Sequence, residues 1–195
     1  MSVRKVILQG NPKLKAKNAE VKNFLDPKVR QVIKDLKDTL RKSSLVGIAA
    51  PQIAENYMIF ITHPKNTEFR NFGREDILRV FINPKITYKS TNAVVIYEGC
   101  GSVEDKGTVP FGPVLRPKEV EVEALDEKGN KFSLRADGIL ARVIQHEYDH
   151  LRGVEFVQHV DSSKIVSEKY YKAKIKNSKK QKVASEITKI KYKEI

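Results

Sequence analysis

The chain has 195 residues, 40% of them hydrophobic, enough for one domain with a packed core and an appended segment. No apolar run approaches the ~20 residues of a membrane-spanning helix, and the N-terminus, MSVRKVILQGNP, shows no signal-peptide apolar region or cleavage site, so an intracellular protein is expected. The single cysteine, Cys100, excludes an internal disulfide, and the net charge of +13 is concentrated late in the chain: from Lys164 to Ile195 eleven Lys face three Glu, a balance of +8 that leaves +5 for the other 163 residues. Basicity placed this way speaks about a partner of the tail more than about a catalytic site.

Asp26-Pro27 reads as a helix start, with Asp as N-cap and Pro at the first helical position. Val29, Val32, Ile33, Leu36 and Leu40 then follow helical spacing and predict an amphipathic helix over residues 27–42. Residues 43–53, SSLVGIAAPQI, are small and apolar but broken by Gly47 and Pro51, which suits a loop or short buried segment. YMIFIT (57–62), ILRVFIN (77–83) and AVVIY (93–97) are β-branched and aromatic runs and predict strands. EVEVEAL (119–125) alternates polar and apolar residues, DEKGN (126–130) is a turn, and KFSLRA (131–136) returns as the second arm of a hairpin.

Asp137 is placed to cap a second helix over 138–152, with Ile139, Leu140, Val143, Ile144 and Leu151 as its apolar stripe and Gly153 as its stop. Ser162 or Ser163 would cap a third helix carrying Ile165, Val166, Tyr170 and Tyr171, and beyond Asn177 the Lys-rich chain is expected to fray. A helix, many strands and another helix in that order argue for an α+β fold.

The second helix carries the chemistry. HEYDH, 146–150, matches H-E-x-x-H. Residues four apart share one helix face, so His146 and His150 present two imidazoles to one ion with Glu147 beside them. A catalytic ion of this type needs a third protein ligand and an open position. The metzincin extension would require His at 156, where the chain has Phe156. Glu155 and Glu168 are available carboxylates, though neither sits in a telling motif. Cys100 is the better candidate, because EGCGS (98–102) places it between two glycines in a polar segment that is poor core material. Two neutral imidazoles and one thiolate leave a divalent ion with a single positive charge, suited to lowering the pKa of water toward ~7. A zincin-like endopeptidase using Glu155 or Glu168, and a ribosome- or RNA-binding module on a metal-stabilised fold, are the rival readings.

Three segments taken together resemble the peptide deformylase family, whose motifs run G-x-G-x-A-A-x-Q, E-G-C-x-S and Q-H-E-x-D-H. Here they read LVGIAAPQ (45–52), EGCGS (98–102) and QHEYDH (145–150), in the same order and approximate spacing. FINPKI, VLRPKEVEV, DEKGN and LRGVEF are also similar to family segments, so the resemblance covers about residues 3–160. Two positions depart from the pattern: Leu45 stands where the first motif has Gly, and Gly101 stands where Leu usually follows the cysteine. The stretch 103–115 is also longer than in the commonest bacterial members.

The resemblance implies antiparallel sheets packed around a central metal-binding helix, with a catalytic domain over 1–160 and a Lys-rich C-terminal helix or tail over 161–195. It implies removal of the formyl group from the N-terminal formyl-methionine of new polypeptides, with release of formate. Cys100, His146 and His150 would hold the ion, which in the family is usually ferrous iron, with zinc or nickel as substitutes. Glu147 would take the proton of the attacking water and pass one to the leaving amine. Gln52, through its side-chain amide, and Gly101, through its backbone N–H, would stabilise the oxyanion. Gly47 and Gly99 would let the substrate backbone approach. Val46, Ile48, Ile139 and Val143, with the aliphatic stem of Arg142, would form the methionine pocket. Glu98 and Arg116 would brace the cysteine loop as an ion pair. The Lys-rich C-terminus would contact ribosomal RNA near the exit tunnel, in a bacterial cytosol.

Overall fold

The computed structural model describes residues 3–66, 76–182 and 191–195. Helix α1, Pro27–Lys42, begins as expected: the Asp26 carboxylate accepts the backbone N–H of Lys28 at 2.8 Å and Pro27 follows the cap. Its buried stripe, Val29, Val32, Ile33, Leu36 and Leu40, lies against the sheet, and Arg41 and Lys42 sit in the last turn, where positive charge suits the helix dipole.

Strands β1 (Gly47–Ala49), β2 (Ile59–Thr62), β3 (Arg79–Lys89), β6 (Val120–Leu125), β7 (Lys131–Ala136) and β8 (Lys191–Glu194) form one antiparallel sheet in that spatial order. Strands β4 (Ala93–Glu98) and β5 (Gly112–Pro117) form a separate antiparallel pair. The side-chain period of two divides the large sheet between two cores. Ile48, Ile59, Ile61, Val80 and Ile82 point to α1, whereas Ala49, Phe60, Phe81, Val122 and Leu134 point to helix α2 (Gly138–Leu151). Glu121 and Glu123 alternate with the buried residues of β6, because that strand packs on one face only. Between Ile82 and Lys85 the β3–β6 register slips beside Pro84, and Asn83 takes φ +50°. Its side-chain amide bonds both the N–H and the carbonyl of Val21, at 2.9 Å each, as a strand neighbour would.

Helix α2 buries Leu140, Ala141, Ile144 and Leu151 on the sheet. It stops at Gly153, whose φ of +72° suits a residue without a side chain, and Asn18 Nδ2 donates to the last-turn carbonyl of Leu151 at 2.8 Å. No described helix is long and apolar enough to cross a membrane.

One local expectation is sharpened, one strand is added and one helix is revised. The segment 43–53 is buried from Val46 on and contains strand β1 followed by a 3-10 turn, Ala50–Ile53. Strand β5 was not legible because it begins with Gly112 and contains Pro113 and Pro117. Such residues suit the edge position it occupies in a two-stranded pair. Over residues 161–182 the chain is a string of short elements rather than one helix. Ser167, not Ser162 or Ser163, caps the helical stretch: α3 (Glu168–Tyr170) continues into a π-helical turn, Tyr171–Ile175, before α4 (Lys179–Lys182). Residues 183–190 of the expected tail lie outside the described residues, and Lys191–Glu194 pairs with β7.

Candidate active site

Three elements meet at one point. Helix α2 supplies His146, Glu147 and His150, the loop after β4 supplies Cys100, and β1 with its following turn supplies Gly47 and Gln52. One potential ligand atom from each of Cys100, His146 and His150 lies within 4.8 Å of the others, and Cys100 Sγ is 3.2 Å from His150 Nε2. Helical spacing explains the two imidazoles. The cysteine arrives because Glu98, at the end of β4, is anchored to α2 through buried charges.

Glu98 is the centre of that anchor. Its carboxylate accepts from Arg116 Nε (2.8 Å) and NH2 (3.1 Å), from Arg142 NH1 (2.8 Å) and from His146 Nδ1 (2.9 Å). Arg116 reaches on to Asp149 at 2.7 Å, and Arg142 also donates to the carbonyls of Val114 (2.9 Å) and Val94 (2.7 Å). Two guanidiniums thus balance two carboxylates, as buried charge requires. Burial by itself would raise the Glu98 carboxyl, but Arg116 and the hydrogen bonds from His146 and Arg116 hold it well below the usual carboxylate range. The bond to Nδ1 places the His146 proton there and leaves Nε2 as a lone-pair donor.

The donors around the cluster fit a divalent cation. Burial pushes the Cys100 thiol up to about 12, although the N–H of Ser102, 3.4 Å from Sγ, favours the thiolate and Glu147 and Glu155 oppose it. Burial, with His146 and Arg116 nearby, lowers the pKa of His150, so its imidazole is held neutral. A buried thiol between two imidazoles exchanges its proton readily only for another positive charge, which is the chemistry of a thiolate–imidazole metal site. Glu147 complements it: its Oε2 is buried with no hydrogen-bond partner among the described residues, and burial together with the Glu98 charge raises its pKa well above the ordinary value. A carboxyl poised in this way suits proton transfer.

The cleft over this cluster is lined by Leu45, Val46, Gly47, Gly99, Gly101 and Val143, together with Gln52, Val109, Phe111, Arg142 and the chemical residues themselves. Gly47 faces α2 so closely that a Cβ there would lie 2.5 Å from both Glu147 Oε1 and Val143 Cγ1. Gln52 is fixed at both ends of its amide: Oε1 accepts from Ala49 N at 2.8 Å, while Nε2 donates to Ser102 Oγ at 3.2 Å and lies 3.6 Å from Cys100 Sγ.

Two expected pocket residues do not line the cleft. Ile48 alternates away from Gly47 into the α1 core, and Ile139 packs behind Val46 and Val143. Arg142 borders the cleft, but its guanidinium turns to Glu98. Leu45, Phe111 and Ser102 were missed, and only the departures at 45 and 101 hinted at the first. Those departures face each other in space: Leu45 Cδ2 lies 3.1 Å from where a Cβ on Gly101 would be. The bulk added at one position occupies room freed at the other.

Fold and cluster fit the metallohydrolases: three candidate ligands converge beside a buried carboxyl with a raised pKa. The comparisons narrow it. Residues 3–166 match the family model for polypeptide deformylase. Peptide deformylase 2 of Nostoc sp. is 39% identical over 177 residues, spanning 89% of this chain and 96% of the relative. The Pseudothermotoga lettingae peptide deformylase is 38% identical over 162 residues, 83% of this chain and 85% of its own. Among solved structures, the Met-Ala-Ser-bound class I type b peptide deformylase of Acinetobacter baumannii superposes with TM-score 0.73 at 32% identity, covering 82% of this chain and all 100% of its own. The actinonin complex of the Ehrlichia chaffeensis peptide deformylase gives 0.73 at 31%, covering 84% and 92%. The chain belongs to the peptide deformylase family, metal-dependent enzymes that remove the N-terminal formyl group from nascent polypeptides.

Proposed function

We propose that this chain deformylates N-formyl-methionyl polypeptides with Cys100, His146 and His150 as metal ligands and Glu147 as proton carrier. The convergence of the three donor atoms within 4.8 Å, beside a buried carboxylate oxygen with no hydrogen-bond partner among the described residues, carries this reading. The ion, when bound, would act as a Lewis acid and lower the pKa of water toward ~7. Glu147 accepts the proton lost as water adds to the formyl carbon. It then delivers a proton to the departing amine nitrogen as the C–N bond breaks, so formate and a free N-terminal methionine result. Gln52 Nε2 and the Gly101 N–H are the candidate donors to the developing oxyanion. The cross-braced amide of Gln52 means it needs little reorientation to serve. Gly47, Gly99, Val46 and Val143 supply close approach and an apolar wall for the methionine.

The test is formate release from formyl-Met-Ala-Ser. Glu147→Gln is expected to retain the metal and lose at least about 10²-fold in rate, whereas cleavage at an internal peptide bond, with no formate, would favour an endopeptidase. Ferrous iron is the proposed ion, consistent with a set of one thiolate and two imidazoles that suits several borderline metals. Metal analysis of anaerobically purified protein, and loss of activity in air, would test it. Residues 1–160 with the packed segment after them form the catalytic body in this reading, which operates in a bacterial cytosol.

The exposed Lys174, Lys179 and Lys180 favour a further contact with ribosomal RNA. Changing all three to Glu is expected to reduce ribosome co-sedimentation at low salt while sparing peptide turnover. Equal sedimentation would remove this contact.

A further inference from the structure

The segment beyond residue 160 reaches the cleft through Phe111. The Phe111 backbone exchanges two hydrogen bonds with Val166, Phe111 N to Val166 O at 2.9 Å and the return at 2.8 Å. Its ring, which lines the cleft, lies flat on Tyr171 with centroids 3.9 Å apart and planes 1° from parallel. The same ring leaves so little room at Gly99 that a Cβ there would come within 2.9 Å of it.

Tyr171 is itself held. It is 1% exposed, and its hydroxyl accepts from Gln181 Nε2 at 3.2 Å. The Gln181 amide bonds the main chain of Tyr97 on both sides, accepting from its N–H and donating to its carbonyl at 2.9 Å each. Gln181 therefore imitates a neighbouring strand at the end of β4, one residue before Glu98. A continuous set of contacts runs from α4 through Tyr171 to Phe111, beside the loop that carries Cys100.

We propose that Tyr171 is a positioning residue of the substrate cleft, its ring holding Phe111 as the apolar wall against which the first side chain of the peptide packs. The inference rests on the deformylase reading and adds the C-terminal segment to the substrate site. Phe111 sits on a loop and edge strand, where a lone aromatic ring has several rotamers open to it. The stack selects one of them. Losing it leaves the metal ligands and Glu147 in place but lets the wall move. The effect should therefore fall on substrate and product affinity and not on the chemical step.

Tyr171→Phe keeps the stack and loses only the hydroxyl contact; Tyr171→Leu loses the stack. With metal-loaded protein, KM for formyl-Met-Ala-Ser and calorimetric Kd for Met-Ala-Ser are expected to rise roughly tenfold in Tyr171→Leu, the scale of one aromatic pair. The kcat should stay within about threefold, and Tyr171→Phe should stay near wild type. A folded Tyr171→Leu protein with unmoved KM and Kd, or with its loss wholly in kcat, overturns the proposal. If Tyr171→Leu does not fold, Tyr171→Met, which fills the site with a flexible apolar chain but also loses the stack, replaces it: a rise in KM and Kd supports the proposal, and unchanged values overturn it. Wild-type protein that releases no formate would refute the deformylase reading and this inference with it. Active wild-type protein beside unmoved variants refutes only the role of Tyr171.

Discussion

Gly47→Ala is the smallest change that should disable the chain, and its cost follows from the geometry. The added Cβ would stand 2.5 Å from Glu147 Oε1, 2.5 Å from Val143 Cγ1 and 2.9 Å from Glu147 Cδ. Ordinary contacts between such atoms begin near ~3.5 Å, so about 1 Å of displacement is required. β1 is hydrogen-bonded to β2 and buried, which leaves the Glu147 and Val143 side chains as the parts that yield. Overpacking of this kind costs about 1–3 kcal/mol of stability, or roughly 2–12 °C in melting temperature for a chain of this size. Displacing a proton-transfer group by about 1 Å costs on the order of 10²-fold in kcat. Thermal melts by circular dichroism and kcat for formate release from formyl-Met-Ala-Ser measure the two effects. Gly101→Ala is the comparison: the nearest atoms to its Cβ would belong to the Leu45 side chain, Cδ2 at 3.1 Å, and a flexible side chain yields more easily. A folded Gly47→Ala protein with kcat within about threefold of wild type would show that the position of Glu147 does not govern the rate.

Glu98→Gln leaves Arg116 and Arg142 buried beside a neutral amide and is expected to cost about 3–5 kcal/mol. Because the carboxyl is held below its unfolded value, its contribution is present above the ordinary carboxylate pKa of about 4.3 and is lost as pH falls toward the native value; urea melts across acid pH, with the variant lacking that dependence, check it. The Cys100 thiol, raised to about 12, stays protonated in the metal-free protein near neutrality. Metal uptake must expel that proton, so apparent affinity should rise at least about tenfold per pH unit between roughly pH 6 and 8; a flat profile, or tight binding by Cys100→Ser, would take the cysteine out of the site. Gly101→Leu should destabilise the protein against Leu45, and adding Leu45→Gly should restore about 1–3 kcal/mol; additive effects in chemical denaturation would mean that the two residues do not share one space.

Features that depend on short-range geometry were legible in the order of residues. H-E-x-x-H spacing put His146 and His150 on one face of α2 because an α-helix repeats every 3.6 residues. Asp26-Pro27 set the start of α1, and the alternation in residues 119–125 marked a strand buried on one face. The motifs also singled out Cys100, which the fold brings to the two histidines. How these pieces face one another emerged from long-range packing. Strand pairing turned Gly47 toward Glu147 and sent Ile48, its neighbour and an expected pocket residue, to the opposite core. Packing joined Leu45 to Gly101, gathered Arg142 and His146 onto Glu98, and laid Tyr171, expected only as part of a third helix, on Phe111 at the cleft. Periodicity and capping act within a few residues of chain, whereas these contacts join segments far apart in sequence. Their positions are chosen by burial and charge pairing, which act only once the chain has closed on itself.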